Sequence, residues 1–570
     1  MMAEMERPTL PLSKLPQTSR LFADFLDNFP KVSEFYTHPP EEDGIMAAAR
    51  EAYGARGTKA ERLNAVVDIL RRQNREFGSD ESVAHNLDRL RDGAVAIVTG
   101  QQTALFGGPA YTIYKAITAI YWAQWLSSRG IPAVAIFWMA TEDHDFAEVN
   151  HVVWPALVEA PNEPSRADSL ELRIAGVDSS NGGLPHLQIH VDDSAKGGAV
   201  GSIRLGTDIH QLVEAAASAI NDPQSANIVA ALRTAYRPGE TMGRAFGKLI
   251  AVLFRGHALI LLDPMDAGLH RLAAPILRAA AGNAETFTQE LIARGKALQS
   301  AGYHSQVRVT PQSTLLFRIV DGKREPIRKR GEGFAAGNLV FTRDELLAVV
   351  DQYPEEFSPN ALLRPVMEDA LLPTAAYVGG PAEVAYFAQS EVIYRKLHVP
   401  MPVVLPRASF TLVDPRTAHI LRKYKLNASS LFAGRQRVRE KMEHESVPKG
   451  LARHFRIGER NLARLLKTLR SPLHKLDPTL LGALDTAQRK MLYQYSKLSA
   501  NAGRAEGFRT GVLERDERRL TEILYPKRGL QERTLSALPF LAVGQGNLVD
   551  ELLDIIRRKG LGEHHIVALR

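Results

Sequence analysis

The chain has 570 residues, 45% of them apolar and 24% charged. This is ordinary globular composition and excludes disordered, collagen-like and fibrous classes. There is no cysteine, so a disulfide framework, a thiolate metal site and a cysteine nucleophile are excluded. Net charge is +7, but residues 415–530 hold 26 Lys and Arg against 11 Asp and Glu. A basic module on a mildly acidic body is expected, either an anion-binding surface or a long solvated helical face.

The opening MMAEMERPTLPLSKLPQ lacks the basic stretch and apolar core of a secretory signal. No uncharged apolar run is long enough to span a bilayer. A soluble, cytoplasmic protein is the expectation. Residues 18–92 read as helices, with three- and four-residue apolar spacing in LFADFLDNF and ERLNAVVDILRRQNREF. Ala94–Val98 is then a short apolar run, the signature of a strand buried on both faces. The loop Gln101–Gly108 follows, and Pro109 stands where a helix begins. Residues 110–129 predict a helix apolar nearly all round, and 132–139 a second buried strand. Further strands are expected at 257–262, 375–378 and 403–405. The fold class is α/β with a mostly parallel sheet.

Two polar, turn-rich stretches, 160–235 and 304–343, read as insertions. Over 415–525 the pattern becomes helical. Leu480, Leu484, Ala487, Met491 and Leu498 follow four/three spacing, which predicts an antiparallel hairpin that is partly coiled coil. Ser471-Pro472 and Asp477-Pro478 punctuate it. The tail predicts one helix and a last strand. The chain divides into a helical segment, 1–92; a core, 93–414, with insertions near 155–240 and 300–345; a helical coiled-coil segment, 415–525; and a segment returning to the core, 526–570.

Ligands of open α/β sheets bind beyond the carboxyl ends of the strands. Gly100-Gln101-Gln102 and Thr141-Glu142-Asp143-His144-Asp145 fall there, with Glu148, Asn150 and His151 close behind. Gly107-Gly108-Pro109 and Gly379-Gly380-Pro381 each precede a helix. Each is either an anion site at the helix N-terminus or a plain helix start. His144 admits three readings: a general base or phosphate contact oriented by a carboxylate, a metal ligand with Asp145 and His151, or a structural histidine. Asn360 and Arg364 lead toward the second Gly-Gly-Pro. Arg407 closes a predicted strand, and its planar cation suits carboxylate or phosphate. No Walker motif and no dinucleotide fingerprint is present, which disfavours P-loop NTPases and standard NAD enzymes.

VTGQQTALFGGPAYTIYKAITAI and FWMATEDHDFAEVNHV, with GYHSQV, FSPNALLRPVMEDALLPTAAYVGGPAEVAYF and LYPKRGLQER, resemble the bacillithiol-biosynthesis cysteine-adding family, BshC. The resemblance runs nearly end to end. It implies a Rossmann-like core with two connecting insertions, and a coiled-coil domain used in dimerisation and near a nucleotide pocket. The implied reaction joins the carboxyl of cysteine to the amine of glucosaminyl malate, with ATP and Mg²⁺. The His-x-Gly-His and Lys-Met-Ser-Lys-Ser motifs of adenylating relatives are absent. On this reading His144, Asp145, Gln101 and Gln102 are catalytic. Gly107, Gly108, Thr141, Asp143, Asn360, Arg364, Gly379, Gly380 and Arg407 bind substrate, no metal is held by the protein, and no nucleic acid or membrane is bound. A non-catalytic nucleotide-sensing or nucleic-acid-binding coiled-coil protein and a metal-dependent hydrolase are the competing expectations.

Overall fold

A computed structural model describes residues 9–54, 60–155, 157, 169–175, 186–190, 197–220, 225–543 and 548–569. They form two compact units. One comprises described residues of 9–411 and 532–565; the other contains those of 412–531 and 566–569.

The first unit is built on five strands: β1 (Val95–Gln101), β2 (Ala133–Met139), β3 (Ile260–Leu262), β4 (Thr374–Gly379) and β5 (Val403–Pro406). Their order is β5-β4-β1-β2-β3, and every neighbouring pair is parallel. All of β2 and all but the last residue of β1 are buried. Apolar runs without alternation form such strands because helices cover both faces. Helix α1 (Tyr111–Ser127) packs on β1 and β2, and α2 (Pro381–Leu397) connects β4 to β5. Four helices, Arg20–Asp27, Glu42–Gly54, Ala60–Phe77 and Glu81–Arg91, precede the sheet. Strand Thr9–Pro11 pairs antiparallel with Glu563–Ala568, in register Thr9↔His565.

The expected insertion at 304–343 is an antiparallel sheet. Ser313–Val320, Lys323–Arg330, Gly333–Ala336 and Leu339–Phe341 run as successive hairpins, and Phe357–Pro359 adds to the edge. In the other insertion, His151–Pro155, Ser169–Ala175 and His186–His190 form a three-stranded sheet. Most of its turn-rich stretches, including EAPNEPSRAD and VDSSNGGLP, lie outside the described residues.

The second unit contains α3 (Arg435–Glu445), α4 (Lys449–Leu476), α5 (Leu480–Thr510) and α6 (Val512–Leu524). Helices α4 and α5 are antiparallel, since Arg470 pairs with Asp485 and Phe455 meets Tyr495. Only Asp477-Pro478 breaks the chain there. Pro472 lies inside α4, where a proline near an exposed helix end removes little more than one hydrogen bond. The expected seam is corrected in part. Leu484 is buried, but Met491 and Leu498 are exposed by 45% and 57%. Ser499, Gly503 and Gly507 are the buried positions instead. Small residues let helices approach more closely than leucines do.

At Gly503 a Cβ would stand 1.7 Å from the carbonyl oxygen of Glu443, whereas at Gly482 it would meet nothing within 4 Å. Alanine is favoured over glycine in helices by about 1 kcal/mol. Gly482→Ala is therefore expected to leave the melting temperature unchanged or raise it. Gly503→Ala should lower it, against its own propensity. A raised midpoint in Gly503→Ala, read by circular dichroism, refutes the close helix contact.

Candidate active site

Strand order reverses between β1 and β4, and ligands of open parallel sheets bind at such a switch point. A cavity of about 680 Å³ opens there. Gln101 and Gln102 after β1, the Ala140–His144 turn after β2 and Tyr377 of β4 form one side. Leu315–Phe317 and Pro326–Arg328 of the antiparallel sheet form the opposite wall. A wall of fixed strands on each side holds the space open.

A deeply buried charge beside it is Lys115, which sits in the second turn of α1 and is 2% exposed. Its Nζ donates to the Gly100 carbonyl at 2.8 Å, to Gln101 Oε1 at 2.8 Å and to Glu383. Glu383 also accepts from the Gly380 amide at 3.0 Å. Burial would raise the Glu383 carboxyl, but the Lys115 ammonium outweighs burial and holds it below the usual range. Gly379 is required here, because a Cβ would stand 2.7 Å from that of Glu383.

Around His144 the side chains form a chain of donors. Gln102 donates to Asp143, and the His144 amide donates to Asp143 Oδ1 at 2.7 Å. Arg324, reaching in from the antiparallel sheet, lies 3.0 Å from His144 Nδ1 and 3.6 Å from Asp143. It also donates to Ser358 Oγ and the Pro359 carbonyl. Arginine can only donate, so Nδ1 accepts and the neutral ring carries its proton on Nε2. In this geometry His144 is a hydrogen-bond donor toward the cavity. Asp143 stays below the usual carboxylate range although burial opposes it, through Gln102 and Arg324.

Arg364 lines the far end. It donates to Tyr386 at 2.9 Å and pairs with fully buried Glu368 at 2.7 Å. Burial pushes Glu368 up, and Arg364 offsets this only partly. Asn360 also lines the cavity, but its Oδ1 accepts from the Leu362 and Leu363 amides. It thereby caps the turn that sets Arg364.

Gln101, Gln102, Asp143, His144, Asn360 and Arg364 thus share one cavity. The other expected residues lie elsewhere. Thr141 is buried beneath the turn and donates to Asp263. Asp145 caps the short helix Phe146–Val149. Neither helix start that follows a Gly-Gly-Pro is an open anion site. The Ala110 amide donates to Leu535 O at 2.8 Å, and the Gly380 amide is taken by Glu383. Gly107 and Gly108 serve the turn instead, with φ of 80° and 68°. Arg407 is buried and paired with Glu532 at 2.6 Å. Glu532 in turn accepts from Ser409 and the Phe410 amide. That buried network gives Arg407 a structural partner in place of the expected substrate contact.

Sequence reasoning missed Lys115, Glu383 and Arg324. The first had a signal: one charge in a helix that is otherwise apolar all round must bury a partner with it. Arg324 had none, since it lies 180 residues from His144. His151 pairs with Asn150, and no three His, Asp or Glu among the described residues converge as metal ligands. No described helix is long and apolar enough to cross a membrane.

Residues 9–408 match the family profile described as bacillithiol biosynthesis BshC, N-terminal Rossmann-like domain; residues 410–569 match its C-terminal coiled-coil domain. Relatives from Koribacter versatilis and Solibacter usitatus, each named "Putative cysteine ligase BshC", are 39% and 38% identical. The first alignment covers 96% of this chain and 97% of the relative, the second 93% and 94%. A relative of the same name from Salinibacter ruber is 32% identical over 94% of each chain.

Proposed function

The chain belongs to the BshC family of bacillithiol biosynthesis, and from that premise we propose that it is an ATP-dependent ligase joining the carboxyl of cysteine to the amine of glucosaminyl malate. The observation that carries this reading is the split charge of the cavity. Glu142, Asp143, Glu148 and Glu383 line the sheet side. Arg308 and Arg328 line it from other segments, and among the described residues neither has a carboxylate within ion-pair distance. Such a space suits molecules that are cationic at one end and anionic at the other, as amino acids and amino-sugar malates are.

ATP supplies the activation of the cysteine carboxyl. The Mg²⁺ of this proposal enters on the nucleotide's phosphates. His144 Nε2–H donates to a phosphate or acyl oxygen. Gln102 Oε1, buried and without a protein partner, accepts from a substrate N–H. Gln101, fixed by Lys115 and Tyr111, shapes the floor. Cytoplasmic work is part of the same proposal.

Mass spectrometry of the protein with cysteine, ATP and glucosaminyl malate should show the cysteinyl amide. His144→Ala should lower turnover about 10²–10³-fold, the usual loss for one oxyanion donor, with unchanged melting because its side chain is 43% exposed. No ATP consumption with both substrates present sinks the ligase reading; full turnover in His144→Ala removes that residue.

We further propose that the helical unit serves self-association rather than nucleic-acid binding. Leu465, Leu476, Met491, Leu498 and Phe508 are exposed apolar positions that a second copy would cover. Arg435, Arg439 and Arg504 are already paired with Glu443 and Glu517, which weakens the case for a phosphate-binding face.

A further inference from the structure

Of the four carboxylates that line the cavity, three already face a basic side chain. Glu142 lies 2.8 Å from His270, Asp143 faces Arg324, and Glu383 holds Lys115. Glu148 is the exception: among the described residues no lysine, arginine or histidine stands within ion-pair distance of it. It lies in the short helix Phe146–Val149, and its side chain opens into the cavity. The groups that act on it most strongly are neutral or acidic. They are Asp143 and Asp145 from its own loop, Gln102 from the turn after β1, Tyr111 of α1 and Glu383 of α2, while Arg407 and Arg533 act on the Tyr111 beside it.

An amine acceptor arrives as an ammonium ion, which has no lone pair and cannot attack a carbonyl carbon. We propose that in the ligase reaction inferred above, and resting on it, Glu148 binds the acceptor's ammonium and removes one of its protons. An N–H bond breaks and an O–H bond forms on Glu148. The freed lone pair forms the C–N bond at the activated cysteine carbonyl. The carbon–oxygen bond to phosphate breaks, and its electron pair leaves with the phosphate group. The second proton on nitrogen departs to that group or to water. The neighbouring carboxylates assist twice, by attracting the cation and by raising the proton affinity of Glu148. Partial burial and the charges of Asp145, Asp143 and Glu383 hold its carboxyl above the usual glutamate range, against a hydrogen bond from Gln102. A base closer in pKa to the amine takes its proton more readily.

A raised folded-state value also fixes the sign of a stability effect. The folded protein holds this proton to higher pH than the unfolded chain, so stability falls as pH rises through that window. Glu148→Gln should therefore raise the melting midpoint at pH 8 relative to pH 4. The kinetic test uses the full chain with ATP, cysteine and two acceptors: glucosaminyl malate, and hydroxylamine, which is largely uncharged at neutral pH. Wild-type amide formation should fall on the acid side. Glu148→Gln should lower it about 10²-fold or more and flatten that acid limb, while Glu148→Asp keeps the limb. Cysteinyl hydroxamate formation should fall far less, because that acceptor needs no deprotonation. Equal losses with both acceptors, or an acid limb that persists in Glu148→Gln, overturn the proposal alone. A wild-type protein that forms no amide overturns the ligase reading and this inference together.

Discussion

Glu383→Gln is expected to destabilise the first unit by about 3–5 kcal/mol, the usual cost of leaving one partner of a buried ion pair alone. The stranded group is Lys115, whose remaining acceptors are the Gly100 carbonyl and Gln101. The pH dependence has a definite sign. Because Lys115 holds the folded Glu383 carboxyl low, its contribution is complete at neutral pH. It is lost as pH falls below the ordinary carboxylate range and through the folded value. Wild type and variant should therefore converge in acid. The double variant Lys115→Met, Glu383→Gln should lose less than the two single changes summed, since no charge remains buried. Urea denaturation at pH 7 and at low pH measures all of this. A cost below 1 kcal/mol at pH 7 would show that the pair is not formed.

The second large effect concerns Arg407. Its position after β5 suggests a substrate contact, but it is buried against Glu532 with its other bond to the Ala408 carbonyl. Arg407→Met should therefore destabilise the core by about 3–5 kcal/mol through the abandoned Glu532 carboxylate. Michaelis constants of the folded protein should be unchanged. Glu532→Gln should destabilise it similarly, and the two changes together should be non-additive. A Michaelis constant raised tenfold, with stability intact, would return Arg407 to the site.

These two pairs show what the sequence carries and what it does not. The parallel sheet is legible because β1, β2 and α1 are nearly pure apolar runs, and only burial on every side explains them. The cavity is partly legible, because strand ends are the one place where Gln101, Gln102, Asp143 and His144 can meet. Its opposite wall is not, since Arg324 sits in a strand written as KREPIRKR, where it looks like any solvated cation. Arg407 misleads for the same reason in reverse. Its neutralising partner lies 125 residues onward, and local pattern carries no information about contacts at that range. The coiled-coil seam fails where leucine spacing gives way to Ser499, Gly503 and Gly507. Close packing of small residues leaves no hydrophobic periodicity to read.

The pairing of Thr9–Pro11 with Glu563–Ala568 bears on how a cell makes this protein. At ~5–20 residues per second, roughly half a minute to two minutes of translation separates the two strands. Residues 412–531 emerge complete in that interval, while the body that precedes them waits for Glu532 and for its closing strand. A nascent chain stalled short of residue 532 carries an arginine with no counter-ion and a strand with an open edge. Open strand edges offer unpaired N–H and C=O groups to other chains, so an incomplete copy is expected to aggregate more readily than the finished protein.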